Sequence, residues 1–170
     1  MGKEYRTIGY HKAIKEYADI IINENAFRLS HKDTEWLGNG VYFWEQPSDA
    51  EWWCKDRYKH YTIFQANLCC DSDLFLDLDD NKCMAIIIEF ANDCQTLFSK
   101  SGLDASGNQK KFRTAVCNYY KEVAGILLMR YSFPSFESNT AGFPEDLVFR
   151  PQYCATNNSV IEHFEAIEEG

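Results

Sequence analysis

The chain has 170 residues, 45% of them hydrophobic and 25% charged, which is enough to bury one core without covalent staples. A formal net charge of −9 disfavours non-specific binding to phosphate backbones and to anionic membrane surfaces. The longest aliphatic runs, 20–22 and 85–88, are far too short to cross a bilayer, and no signal-peptide stretch follows residues 1–6. Seven cysteines, an odd number with no CxxC pair, argue against a disulfide framework or a zinc site and fit free core thiols. A soluble, cytoplasmic, single-domain protein spanning 1–170 is therefore expected.

In chain order, residues 5–10 suit a short strand that ends at His11, and apolar spacing over 13–25 predicts an amphipathic helix. Residues 26–30 read as extended. The stretch 36–44 is a glycine-punctuated turn running into a strand. Ser48 and Glu51 form a potential capping box that opens a helix to about residue 59. Strands are expected at 61–68 and 74–78, a helix at 79–100 and another at 109–120. Between those helices lies a Gly/Ser-rich loop. Residues 126–131 read as extended and 132–145 as a long surface loop. Two strand-like pieces, 147–150 and 152–155, flank Pro151, which predicts an edge or a bulge. Residues 160–167 suit a strand or a short helix equally. The sum is a mixed α+β domain.

Two features could carry chemistry. His11 closes the first predicted strand. In Trp36-Leu37-Gly38-Asn39-Gly40-Val41-Tyr42-Phe43, two closely spaced glycines let a backbone approach another molecule, and Tyr42 projects from the strand that follows. Taken singly, a satisfied strand-end histidine and a tight hairpin entry account for them. Asp77, Asp79 and Asp80 read as helix-capping groups rather than metal ligands, and His60 and His163 as surface residues. The runs Lys55, Arg57, Lys59 and Lys110, Lys111, Arg113 read as solvated faces.

Three segments in order resemble the ADP-ribosyltransferase superfamily, in the branch with a His-Tyr-Glu triad that includes the poly(ADP-ribose) polymerases. Gly9-Tyr10-His11-Lys12-Ala13 is similar to its Tyr-His-Gly-Thr strand, Phe27-Arg28-Leu29-Ser30 to its Phe-x-x-Ser element, and residues 37–43 to its Leu-Gly-x-Gly-x-Tyr-Phe strand. Fainter likeness continues at Ala50-Glu51-Trp52-Trp53, at Phe75-Leu76-Asp77-Leu78 and over residues 149–155.

The resemblance implies an ADP-ribosyltransferase-like fold of two packed, split, mainly antiparallel sheets with flanking helices. It implies NAD⁺ as co-substrate, no metal, and transfer of a single ADP-ribose unit to a macromolecule, nucleic acid or protein. Small members of this kind are toxins of toxin–antitoxin or phage-defence systems, so a cognate antitoxin would be a further partner. His11 would bond the adenosine ribose, Ser30 the carboxamide or a nearby ribose, and Tyr42 would stack on nicotinamide. Tyr10, Lys12 and Gly40 complete the implied dinucleotide-binding set, and the backbone after His11 would hold the carboxamide. Two positions depart from the pattern. Lys12 stands where the family has glycine, and Gln152 is the best match for the triad glutamate, with Arg150 and Glu145 as alternatives. Glutamine can bond a ribose hydroxyl but cannot act as a general base. An NAD⁺ glycohydrolase and a non-catalytic binding module are the competing expectations.

Overall fold

The computed structural model describes residues 2–100, 108–137 and 146–170. Strand β1 (Glu4–Ile14) is its axis. Its eleven residues pair antiparallel with β3 (Tyr61–Asp71) along the full length, from Glu4 opposite Asp71 to Ile14 opposite Tyr61. The outer side of β3 pairs with β7 (Ile161–Glu169). On the other side of β1, β2 (Val41–Trp44) meets it at one registered pair, Tyr10 with Trp44. Beyond β2 lie β6 (Asp146–Ala155), antiparallel to it, then β5 (Leu128–Glu137) and finally β4 (Phe75–Asp77), parallel to β5.

These strands form one seven-stranded sheet in the order β4-β5-β6-β2-β1-β3-β7, not the two packed sheets the resemblance implied. A seam lies inside that sheet, between β1 and β2. β2 pairs with β6 over all four residues but with β1 only at Trp44, and β1 and β2 part beyond Tyr10.

Side-chain alternation along the strands builds a core on each face. On one face Ala13, Val41, Phe43, Phe64, Leu128 and Tyr153 pack with Phe27 and with Ala18 and Ile21 of helix α1 (Lys15–Glu24). Phe43 and Phe64 are fully buried, each worth roughly 1.5–3 kcal/mol in surface removed from water. On the other face Met129 and Cys154 pack with Leu37, with Ile87 of α3 (Asn81–Ser99) and with Cys117 of α4 (Gln109–Ala124). A smaller cluster of Trp44, Ala50 and Ile63 lies under α2 (Pro47–Trp52).

Several boundaries differ from the sequence reading, each for a local reason. Ala13 and Ile14 have helical spacing but stay in β1, because Thr62 and Tyr61 are there to pair with them. The expected Ser48 capping box does not form: Gln46 is the N-cap, without a side-chain bond, and the helix stops at Trp52. Asp80 does cap α3, accepting from the amides of Lys82 and Cys83. α4 continues to Ala124, where Gly125 takes the left-handed φ of 69° that ends it.

The undecided segment near the C-terminal end is strand β7. Pro151 sits inside one continuous strand. Its missing N–H falls just past the end of β2, on the side where β6 has no strand neighbour, and its carbonyl accepts from Glu45 N at 3.1 Å. Residues 132–137, expected as loop, extend β5, while 138–145 and 101–107 lie outside the described residues.

All seven cysteines are free, and five of them are buried. No helix among the described residues is long and apolar enough to cross a membrane.

Candidate functional site

Where β1 and β2 part, a cleft of about 630 Å³ opens, a volume within the range of small-molecule sites. His11, Lys12, Ser30, Gly40, Tyr42 and Gln152 all line it, although they are spread over 142 positions of sequence, from 11 to 152. Tyr10 does not line it. Its ring packs against the Trp44, Ala50 and Ile63 cluster, because Tyr10 is the one residue of β1 still registered with β2.

His11 is half-buried, with its ring edge-on to Phe27 at 5.1 Å between centroids. Its Nδ1 lies 2.8 Å from the main-chain oxygen of Tyr42. A carbonyl only accepts, so Nδ1 carries the proton and donates. Burial holds the imidazole below its ordinary pKa of 6.5, so the ring is neutral at pH 7. Nε2 is then an unprotonated acceptor with no hydrogen-bond partner among the described residues. It suits a hydroxyl donor on a ligand.

The turn before β2 is held by α4. Gly38 has φ +80°, and a Cβ there would collide with Asn118 Oδ1. That same oxygen accepts from Asn39 N at 2.6 Å, and Lys121 Nζ donates to Asn39 O at 2.5 Å. Further back, Thr114 Oγ1 donates to Glu35 O at 2.7 Å and Arg113 Nε to Trp36 O at 3.1 Å. A Cβ at Gly40 would strike Ala155 O at 2.5 Å, so β2 could not approach β6 as it does with any side chain there. The Tyr42 hydroxyl accepts from Leu37 N at 2.9 Å and donates to Gly38 O at 2.6 Å. Burial pushes the phenol well above its usual range, so it stays protonated. The ring is thereby locked against the turn while it lines the cleft.

Ser30 is joined to Gly40 by two main-chain hydrogen bonds, of 2.8 and 3.1 Å. Its hydroxyl donates to the Glu35 carboxylate, which also lines the cleft.

Lys12 separates its peptide groups from its side chain. Tyr61 directs its N–H and C=O to Gly170, so along the regular β1·β3 ladder Lys12, registered with Ile63, turns its own peptide groups away from β3. They face the seam. The side chain leaves from the sheet face instead: Nζ donates to Glu51 O at 2.9 Å and sits 4.0 Å from the Tyr61 ring centroid. A buried ammonium with no carboxylate bonded to it has its pKa lowered, and Lys12 follows that rule.

Gln152 is 7% exposed, and its amide makes no hydrogen bond within the described residues. The amide is open to the cleft that the residue lines. Arg150, one of the alternatives for the third position, is committed to the buried carboxylate of Asp49, to Ser135 Oγ at 3.1 Å and to the face of Trp52 at 4.1 Å. Glu145 lies outside the described residues.

Asp77 and Asp79 bind Arg130, at 3.2 and 2.6 Å, and Asp80 caps α3. Glu4, Cys69 and Glu162 come close together at the surface, yet Arg6 bridges both carboxylates at 2.7 and 2.6 Å. His60 and His163 are exposed. Of the two basic runs, Arg57 reaches the cleft, where Arg28 and Lys32 join it, while Lys111 pairs with Asp33 at 2.7 Å.

Sequence reasoning missed Glu35, Asn118 and Lys121. Glu35 directly precedes the Trp36-Leu37-Gly38 run and could have been drawn in with it. The two α4 residues give no signal of their own, since only the packing of α4 behind the turn assigns them a role.

No protein-family profile matches the chain. It is 30% identical over 76 residues to "Uncharacterized protein MJ0359" of Methanocaldococcus jannaschii, a match covering 41% of this chain and 36% of that protein.

Proposed function

We propose that the chain is an NAD⁺-dependent mono-ADP-ribosyltransferase acting on a macromolecule. The observation that carries this reading is the convergence of His11, Ser30, Tyr42 and Gln152 on one cleft at the β1/β2 seam. Each of the three ordered motifs that resemble the family contributes a side chain or a peptide edge to it. The unpartnered Gln152 amide and the open Nε2 of His11 supply what two sugar hydroxyls need, a donor-acceptor pair and an acceptor. The Lys12 peptide groups facing the seam can pair with a carboxamide. The Tyr42 ring offers a stacking surface, worth roughly 1–3 kcal/mol per base. Arg28, Lys32 and Arg57 supply positive charge for a pyrophosphate in an otherwise acidic protein.

Breaking the nicotinamide–ribose bond creates an oxocarbenium-like carbon. Such a step gains most from a fixed sugar and an excluded solvent, and little from covalent help. With Gln152 in place of a carboxylate, the cleft favours one transfer over chain growth.

Purified protein incubated with ³²P-labelled NAD⁺ and a bacterial lysate should yield a labelled macromolecule. Separate RNase, DNase and protease digestions then name the acceptor class. Gln152→Met, which keeps the volume and removes the amide, should fold but not label. NAD⁺ consumed without label would make the protein a glycohydrolase. NAD⁺ left intact, with no melting-temperature shift on its addition, would overturn the reading in favour of a non-catalytic module. Growth arrest on expression, relieved by Gln152→Met, is the result expected of a toxin.

A further inference from the structure

We infer that the Ser30–Glu35 pair is a specificity element that reads an NH₂ group on the ligand's ring, and that Glu35 thereby selects the carboxamide form of the dinucleotide over its deamidated, carboxylate form. This inference rests on the dinucleotide reading above. The Ser30 hydroxyl has one proton and spends it on the Glu35 carboxylate. What the pair presents to the cleft is therefore acceptor lone pairs only, with a negative charge behind them.

The pair is rigid. Ser30 is pinned to Gly40 by two main-chain bonds, and the Glu35 peptide is held by Thr114 Oγ1 of α4 at 2.7 Å. No ion pair neutralises Glu35 among the described residues. A half-buried, unneutralised, fixed carboxylate in a cleft wall is suited to a neutral donor and hostile to an anion.

A carboxamide satisfies this wall: one N–H and the C=O can meet the Lys12 peptide edge, and the second N–H meets Ser30 and Glu35. A carboxylate in the same pose would set oxygen against oxygen and charge against charge. The adenine 6-amino group is the other NH₂ of the dinucleotide, and the experiment separates the two.

Calorimetric titration of the full chain with three dinucleotides tests the assignment: NAD⁺, nicotinic acid adenine dinucleotide, and nicotinamide hypoxanthine dinucleotide, which lacks the adenine amine. Wild type should bind the first and third alike and the deamidated compound at least about tenfold more weakly. Glu35→Gln should reduce that preference severalfold by relieving the repulsion. Ser30→Ala, which keeps the carboxylate, should weaken NAD⁺ yet still reject the deamidated form, and melting curves for both variants report folding.

Selection against the hypoxanthine compound instead would assign the pair to adenine and overturn the carboxamide role. Equal binding of all three would overturn the inference while leaving the dinucleotide site standing. A Glu35→Gln variant with slower turnover and unchanged preference would make Glu35 a base rather than a selector. Failure of every dinucleotide to bind would strike the underlying reading, not this residue alone.

Discussion

His11 Nδ1, on β1, donates across the seam to the main-chain oxygen of Tyr42, on β2, at 2.8 Å. Beyond Tyr10 and Trp44 the two strands no longer share a ladder, so this bond does what a main-chain pair does elsewhere in the sheet. It also fixes the tautomer. With the proton held on Nδ1, the free lone pair of Nε2 is left to the ligand.

The pH dependence follows from the burial of that ring. Its pKa is depressed below 6.5, so near that pH the folded protein binds fewer protons at His11 than the unfolded chain does. Its contribution to stability is complete above pH 6.5 and is lost as pH falls from 6.5 towards the depressed value. Turnover should decline along the same limb, since a protonated Nε2 cannot accept. Melting temperatures between about pH 7.5 and 5.5 should fall further for wild type than for His11→Gln. Parallel losses in both would show that His11 is not the titrating group.

Tyr42 has two separable roles. Tyr42→Phe keeps the ring but leaves Leu37 N and Gly38 O without their partner, which should cost about 1–3 kcal/mol while preserving most dinucleotide affinity. Tyr42→Ala also empties the packing against the Leu37 and Cys154 cluster, so it should cost about 3 kcal/mol or more and abolish binding. A ligand-facing ring with no structural duty would predict an intact fold for the alanine variant, and the two bonds of the hydroxyl argue against that. Urea unfolding of both variants, with NAD⁺ titration of each, separates the roles.

Lys121 ties the helix behind the site to the turn in front of it. Lys121→Met keeps the stem but takes the ammonium from the Asn39 carbonyl, leaving it only the weak Cys154 thiol donor at 3.6 Å, a cost of about 1–3 kcal/mol. Because Asn39 lies between Gly38 and Gly40, the expected signature is weaker NAD⁺ binding alongside the lower stability. Equal NAD⁺ affinity for wild type and Lys121→Met would mean that α4 supports the fold without shaping the cleft.

Much of this was legible in the chain itself. The strands β1, β3 and β4 and helices α3 and α4 follow from apolar periodicity, and the Asp80 cap follows from where a carboxylate stands before an apolar run. The glycines at 38 and 40 marked the turn because few other residues permit it. Ser48 misled: a capping box needs its serine at the N-cap, and the helix starts at Pro47 with Gln46 as its N-cap, two residues earlier. The ends of β5 and β6 were hidden because each strand is long only by virtue of the other. Their pairing from Leu128 with Ala155 to Glu137 with Asp146 is a tertiary decision that neither segment's pattern announces.

What the sequence alone determined was local: which segments could extend, coil or turn, and which residue types could meet a sugar, a ring or an amide. What only the tertiary structure decided was which of them meet. β2 stays paired with β6 but leaves β1 past Trp44, so the sheet opens beside His11, the Lys12 peptide edge turns into that opening, and Glu35 is carried to Ser30 by a turn that α4 clamps from 77 to 82 positions away. Those contacts depend on strand length and helix packing across the whole chain, and no window of neighbouring residues contains them.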